Sequence, residues 1–182
     1  MTPGYAVRPV RAHEWREVRA LRLAALSDEV AAIAFLESHA DAVGRPDAFW
    51  QERTRNSSVD AGELPRVRQF VAVAGDGSWV GSAVGLVELP GETAIGGTPV
   101  DEPVGHVVAV YVAPGHRGRG LLADLLAAVT GWLGERGLPR ARLFVHEDNS
   151  RARRAYERAG FRATGVRITE VNGPELEMAL PL

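Results

Sequence analysis

The segment from His116 to Gly120, HRGRG, places two arginines and two glycines directly after an apolar run. The run, Val104 to Val112, is short and rich in valine, which predicts a buried strand. Pro114 ends it, because proline cannot donate to a strand ladder. Leucines recur at helical spacing from Leu121 onward. The segment therefore predicts a strand, a tight glycine turn and the N-terminus of a helix.

Such a turn has the chemistry of a phosphate site. The first N–H groups of a helix have no partner within the helix, and the helix dipole adds positive charge there. Gly118 and Gly120 have no Cβ, so a ligand can approach the backbone closely, and Arg117 and Arg119 add charge. The expected ligand is a phosphate or a pyrophosphate, although a plain strand-to-helix connection also needs glycines.

Two other phosphate motifs fit this segment less well. Gly118-x-Gly120-x-x-Ala123 matches the dinucleotide fingerprint, but that motif belongs in the first β-α-β unit, with an acidic residue about 20 positions further on. Here the motif lies deep in the chain and Glu147 comes too late. A Walker loop needs a lysine, and all 21 Lys and Arg residues of this chain are arginine.

A second stretch, LFVHEDNSRARRAYERAGF over residues 143–161, combines a polar turn with a short helix closed by a glycine. Together the two stretches resemble the GCN5-related N-acetyltransferase (GNAT) superfamily. The first resembles the family's Q/R-x-x-G-x-G/A loop at Arg117 and Gly120, with Leu122 where a small residue is usual. The second is similar to V-x-x-x-N-x-x-A-x-x-x-Y-x-x-x-G-F at every defined position.

This resemblance implies direct attack of a primary amine on the thioester of acetyl-CoA, the expected co-substrate. Tyr156 stands where the family places the general acid that protonates the departing thiolate. His106 lies where some family members carry a glutamate base, and a neutral imidazole there can take the amine proton. Because side chains alternate along a strand, His106 is expected to lie on the same face of the strand as Val108, Val110 and Val112. Packing roles remain open for both Tyr156 and His106.

The resemblance also implies which residues hold acetyl-CoA. Backbone groups near Val110 and Val112 are expected to contact the acetyl carbonyl and pantetheine. Asn149 resembles the family's cofactor-contacting asparagine, and it is also a candidate helix N-cap. The remaining contacts are expected from the loop and the helix start: Arg117, Gly118, Arg119, Gly120, Leu121 and Leu122. His116 and His146 lack partners at metal-ligand spacing, so no metal site is expected.

The elements that position these residues are expected to form one domain over residues 1–182. Strands first form hairpins and then alternate with helices, which predicts an α/β (α+β) fold with a central mixed β-sheet flanked by helices, as in the GNAT family. The predicted strands are 5–10, 69–74, 79–88, 104–112, 140–146, 163–170 and 175–180. The predicted helices are 13–26, 28–36, one from Pro46 to about residue 57, 121–135 and 151–159.

Two further groups were considered for substrate contact. Phe35, Phe49 and Trp50 can line a pocket or simply pack in the core, and packing is favoured. The loop from Leu89 to Glu102, with Glu88 at its start, is acidic and glycine-rich. It can attract a cationic amine, but a solvated loop is the safer interpretation.

Composition limits the partners. The net charge is -2, so no nucleic-acid partner is expected, and the chain has no cysteine for disulfides, thiolate metal sites or a thiol nucleophile. Met1 to Val10 lack the apolar region of a signal peptide, and no stretch approaches the length of a membrane span. The expected protein is cytoplasmic, without membrane contact, and a homodimer is possible by analogy with the family.

The identity of the acceptor remains open at this stage: a small amine, an antibiotic, an amino acid and a protein N-terminus all fit. The alternative to an enzyme is a non-catalytic acyl-CoA-binding or regulatory module, which would keep the phosphate loop without needing Tyr156. A nucleotide-binding oxidoreductase is a more distant possibility.

Overall fold

A computed structural model describes residues 4–94 and 97–182. Its backbone is organised by one seven-stranded sheet. The strands are β1 (Tyr5–Pro9), β2 (Val67–Ala74), β3 (Trp79–Glu88), β4 (Val104–Val112), β5 (Arg140–His146), β6 (Arg162–Glu170) and β7 (Gly173–Pro181). The helices are α1 (Trp15–Leu26), α2 (Ala31–Ala34), α3 (His39–Gly44), α4 (Asp47–Ser57), α5 (Leu121–Glu135) and α6 (Ser150–Arg158).

The sheet order is β1-β2-β3-β4-β5-β7-β6, and every neighbouring pair is antiparallel except β4 and β5. Those two strands are parallel and pair only at Gly105 with Ala141 and at His106 with Arg142. Beyond these pairs they separate, so their facing edges no longer bond to each other. The predicted mixed sheet flanked by helices is confirmed, and the point of separation becomes the site.

A β-bulge changes the phase of β4 just after the strands separate. Val108 is opposite Val84, but Tyr111 is opposite Ser82, so β4 carries one extra residue between them. Ala109 has a φ of 52°, the one non-glycine residue with positive φ in the described ranges. The expected alternation of His106 with Val110 and Val112 is therefore wrong, because the bulge reverses the facing of side chains beyond Val108.

Helices cover both faces of the sheet. The leucines of α5 pack with Leu143 and Val145 of β5 on what we call the back face, where α6 also lies. On the front face, α1 and Trp50 of α4 pack against Val71 and Tyr111. These two apolar layers explain why the alternating and helical patterns in the sequence place the elements correctly.

A glycine sets how closely α5 approaches the sheet. A Cβ on Gly105 would lie 2.7 Å from Leu133 Cδ1, closer than side chains tolerate. Because Gly105 is also one of the two β4 residues that pair with β5, the helix seats directly over the point where the strands begin to part.

Most predicted elements match, and the differences lie between α1 and α4. The predicted helix over 28–36 is reduced to the four residues of α2, and α3 was not predicted. The predicted loop 89–102 contains a single bridge between Thr93 and Pro99; its residues 95 and 96 lie outside the described ranges, as do residues 1–3 of the N-terminal segment. In the described ranges, no helix has the length and hydrophobicity needed to cross a membrane.

Candidate active site

The separation of β4 and β5 opens a cleft of about 650 Å³ through the sheet. Its walls come from the diverging ends of the two strands, the N-terminus of α5, the inner face of α6, and α2. On the back face the opening lies between α5 and α6; we call this the back mouth. On the front face it lies beside α2 and β7; we call this the front mouth. A ligand in the cleft can thus be reached from both faces.

The glycine turn lies at the back mouth. A 3-10 turn at Pro114–His116 leads into it, and Gly118 and Gly120 have φ values of 74° and 86°, which side-chain-bearing residues rarely adopt. Within the described part of the chain, the backbone N–H groups of residues 118–122 donate to no protein acceptor. Five successive free N–H groups at a helix N-terminus form a site for an anion.

Arg117, one of the expected ligand-binding arginines, has structural partners. Its Nε donates to the carbonyl of Val112 at 2.7 Å, and its Nη2 donates to the carboxylate of Asp28, a side chain only 2% exposed. The pair fastens the turn to the segment between α1 and α2. Arg117 still lines the cleft, whereas Arg119 does not: its Nη1 lies 3.3 Å from the hydroxyl of Tyr5.

Helix α6 carries the polar side of the back mouth. Asn149 caps it, its Oδ1 accepting the N–H of Ala152 at 3.1 Å, and also lines the cleft, so both roles expected for it are open. Arg151, Arg154 and Arg158 line the cleft at helical spacing. In the part of the chain that the structure describes, these three arginines have no hydrogen-bond or ion-pair partner.

Tyr156 lies on the inner face of α6 and forms part of the cleft wall. The residue is 9% exposed, and its ring packs 6.3 Å from that of Phe161. Burial raises the pKa of the Tyr156 phenol well above its ordinary value, and the charge of Glu175 raises it further. The hydroxyl therefore keeps its proton at neutral pH, which is the form that a general acid requires.

His106 lies outside the cleft lining. It is 2% exposed, and its Nδ1 is 3.0 Å from Glu88 Oε1. Phe144, which does line the cleft, packs edge-on against the His106 ring at 5.4 Å. The imidazole is thus one layer behind the wall, and the base role expected for it stays a prediction.

Glu88 is the buried centre of an ion network at the closed end of the cleft. Besides His106 it binds Arg142, whose Nη2 donates to Oε2 at 2.6 Å, and Arg142 in turn reaches Glu177. Burial raises the pKa of Glu88, but the hydrogen bonds from His106 and Arg142 hold it below its usual value. The expectation that Glu88 belongs to a solvated acidic loop is wrong. Glu88 is the last residue of β3 and is buried.

The front mouth contains residues that sequence reasoning missed. Phe144 and His146 of β5 point to the front face, since the intervening Val145 belongs to the back-face core. Glu175 of β7 is paired with His146 and shares that face. Phe35 also lines this mouth, whereas Phe49 and Trp50 pack in the front-face core. The sequence of β7 alternates acidic and apolar residues, but this pattern does not indicate that the polar face of the strand lies at a cleft.

The chain is similar in sequence to known acetyltransferases. The model of the acetyltransferase (GNAT) family matches residues 37–161. Mycothiol acetyltransferase of Streptosporangium roseum is 43% identical over 60 residues, 33% of this chain and 18% of that protein. The corresponding enzyme of Thermobispora bispora is 44% identical over 61 residues, 34% of this chain and 21% of that protein. The chain spans about a fifth of the length of these curated relatives.

Solved structures share the whole architecture. A GCN5-related N-acetyltransferase from Kribbella flavida aligns with a TM-score of 0.68 and 23% identity over 98% of each chain. A GNAT superfamily phosphinothricin acetyltransferase from Sinorhizobium meliloti, solved in complex with AcCoA, aligns with a TM-score of 0.71 and 16% identity over 100% of this chain and 89% of that one. At these identities the likeness shows the fold.

Proposed function

The chain belongs to the acetyltransferase (GNAT) family, and from that premise we propose that it transfers the acetyl group of acetyl-CoA to a primary amine by direct attack on the thioester. Three features support this: an anion site, a slot through the sheet, and a protonated phenol beside that slot. The relatives it matches in part are acetyltransferases, and one structural neighbour was solved with AcCoA.

The observation that carries the proposal is the row of free backbone N–H groups at residues 118–122, on which the diphosphate of acetyl-CoA would rest. Arg151, Arg154 and Arg158 add positive charge at the same mouth. Loop residues Gly118, Gly120, Leu121 and Leu122 line the approach. Arg117 would act mainly by holding the loop, because its guanidinium is already bonded to Val112 and Asp28.

The pantetheine arm would follow the open edge of β4. Val110 and Val112 line the cleft where β4 no longer pairs with β5, so the β5-facing backbone groups of Val110 and the N–H of Val112 are available to the arm and the acetyl carbonyl, whereas the Val112 carbonyl already accepts Arg117. Tyr156 would protonate the sulfur as the C–S bond breaks. The amine must also lose a proton. The resemblance to the family suggests His106 as the acceptor, and the front mouth offers a second candidate, Glu175.

Ligand-dependent thermal stability tests the cofactor part of the proposal. A ligand that binds only the folded state at 100 times its Kd stabilises by about 2.7 kcal/mol. For a chain of this size that raises Tm by roughly 5–10 °C. We expect this shift with CoA and acetyl-CoA, and none with NAD. Equal shifts with NAD, or no shift with CoA, would refute the assignment.

A matched pair of variants locates the diphosphate. Leu122→Glu introduces a carboxylate at the N-terminus of α5. The helix dipole stabilises this negative charge, so the variant should fold, but the carboxylate repels a phosphate, so CoA affinity should fall at least tenfold. Ala127→Glu adds the same charge at an exposed position further along α5, outside the cleft, and should bind CoA normally. Equal affinities in calorimetric titration would mean that the phosphates bind elsewhere.

A further inference from the structure

The front mouth differs in chemistry from the back mouth. Its wall from α2 and the adjoining residues is apolar, with Val30, Ile33 and Phe35 facing the cleft, and β5 adds Phe144. Two acidic side chains line the cleft in the described ranges, Asp28 and Glu175. Asp28 is already paired with Arg117, and Glu175 has no arginine within ion-pair distance. The mouth is therefore an apolar pocket with one carboxylate that no arginine of the described ranges neutralises.

His146 lines this mouth, but its ring nitrogens have other partners. Its Nε2 lies 2.9 Å from the carbonyl of Asn172, which can only accept, so Nε2 carries the hydrogen. Its Nδ1 accepts the N–H of Asp148 at 3.2 Å. Both ring nitrogens are thus hydrogen-bonded to backbone partners and are not free to bind the amine.

Glu175 has the placement that a proton acceptor needs. It lines the cleft together with Tyr156, and the two are close enough for the charge of Glu175 to raise the tyrosine pKa. Burial raises the pKa of Glu175 itself and the neighbouring charge of Glu170 raises it further, whereas the side chain of Asn172, His146 and His106 oppose this to a smaller extent. A carboxylate with a raised pKa is a stronger base than one in water.

We propose that the front mouth receives a primary amine with a single positive charge on an apolar body, and that Glu175 binds the ammonium and accepts its proton. This inference rests on the proposed acetyl transfer and names its acceptor class and base. One unpaired carboxylate matches one ammonium, while a polyamine would bring further charges into an apolar pocket. A zwitterionic amino acid would bring a carboxylate that meets no free cation in the described front mouth.

The proton balance is complete without any further reactant. The ammonium gives one proton to Glu175, which returns it to water. The neutral nitrogen attacks the thioester carbon, the N–C bond forms, and the C–S bond breaks. The phenol of Tyr156 gives its proton to the leaving sulfur and regains one from the nitrogen of the adduct. The products are the acetylated amine, CoA thiol and one proton in solution.

The pH dependence of kcat/KM for phenethylamine tests the role of Glu175. When Glu175 takes the proton from a bound ammonium, kcat/KM rises through the carboxyl pKa and then stays level until the amine itself titrates. In Glu175→Gln only free neutral amine can react, so kcat/KM should rise about tenfold per pH unit through neutrality. At neutral pH we expect a loss of about 10²-fold, with acetyl-CoA affinity unchanged.

Two controls separate this role from a structural one. The folded chain binds the Glu175 proton more tightly than the unfolded chain does, so the free energy of unfolding falls as the pH rises above the ordinary carboxyl pKa. At neutral pH, Glu175→Gln should therefore melt no lower than the wild type. Glu170→Gln removes a neighbouring charge outside the cleft lining, and should shift the acid limb to lower pH while keeping the plateau.

Specificity constants test the acceptor class. Phenethylamine and phenylalanine share one apolar body and differ by a carboxylate, and spermidine supplies the polycation. We expect kcat/KM for phenethylamine to exceed both others at least tenfold. Equal kcat/KM values for the three amines would overturn the inference. A pH-independent plateau of kcat/KM that Glu175→Gln retains and His106→Gln loses would also overturn it. So would CoA binding without acetylation of phenethylamine, whereas failure of CoA to bind would refute the proposed function itself.

Discussion

The phenol of Tyr156 shows how a single residue can be suited to one catalytic role and limited in it. Burial raises its pKa, which guarantees a proton to donate but widens the gap to a thiol, for which cysteine gives a reference pKa of about 8.5. The proton transfer to sulfur is then uphill even when the C–S bond is fully broken, and it is least unfavourable late in bond breaking, when the sulfur is most basic. We therefore place the contribution of Tyr156 at the lower end of general-acid effects.

Tyr156→Phe tests that contribution. The variant keeps the ring and its packing on Phe161, so the fold and acetyl-CoA affinity should survive. We expect kcat to fall about 10²-fold, the lower end of the usual range for general acid catalysis. Single-turnover kinetics with acetyl-CoA titration separate chemistry from binding. Wild-type rates across the pH range, with chemistry limiting, would leave Tyr156 as a packing residue.

Individual residues were predicted unevenly, and the reason is local geometry. The resemblance to the two family motifs assigned Gly118, Gly120, Asn149 and Tyr156 to one site, and all four residues line the cleft. The sequence did not predict which side chains of β4 share a face beyond Val108, because nothing in a run of valines indicates the bulge at Ala109. Contacts between side chains distant in sequence are not readable from spacing at all.

At the scale of elements, the site exists because β4 and β5 pair at only two positions. The ion network of Glu88, His106, Arg142 and Glu177 joins β3, β4, β5 and β7 at the closed end of the cleft. Beyond this network, β4 pairs only with β3, and β5 pairs only with β7. The strand bounds were predictable from valine runs and glycine turns, whereas the separation depends on tertiary contacts. Helix α3 escaped prediction, and α2 is shorter than the helix predicted over 28–36, because four to six residues carry little helical periodicity.

The arginine face of α6 carries a prediction at this scale. Arg154 and Arg158 line the back mouth and have no hydrogen-bond or ion-pair partner among the described residues. We therefore expect them to contact a phosphate of CoA other than the diphosphate, which we propose binds at the α5 turn. The double change of Arg154 and Arg158 to Ala should weaken CoA binding roughly threefold to tenfold and affect dephospho-CoA less.

Arg153→Ala is the matched control for that helix. Arg153 lies between the cleft-lining arginines, but its Nη1 donates to the carbonyl of Glu147 and the residue does not line the cleft. The control should bind CoA and dephospho-CoA like the wild type at equal salt concentration. If both ligands weaken equally in the double variant, the arginines act through general charge and not through a bound phosphate.

The whole molecule separates its charges along the cleft although its net charge is only -2. The back mouth presents arginines and free N–H groups to a polyanion, and the front mouth presents one carboxylate to a cation. Net charge alone could not predict this arrangement, because the basic and acidic side chains are brought to opposite faces only by the fold. Two substrates of opposite charge can therefore reach the slot from opposite sides.

The most direct test of acetyl transfer is amine-dependent release of CoA thiol from acetyl-CoA, with the acetylated amine identified by mass spectrometry. The panel should include monoamines, polyamines, aminoglycosides, amino acids and peptides, so that the result does not depend on the acceptor class inferred above. We predict saturable thiol release with at least one amine, with one acetyl amide formed per thiol. Binding of acetyl-CoA with thiol release that no amine accelerates would contradict the account and indicate a non-catalytic acyl-CoA-binding protein.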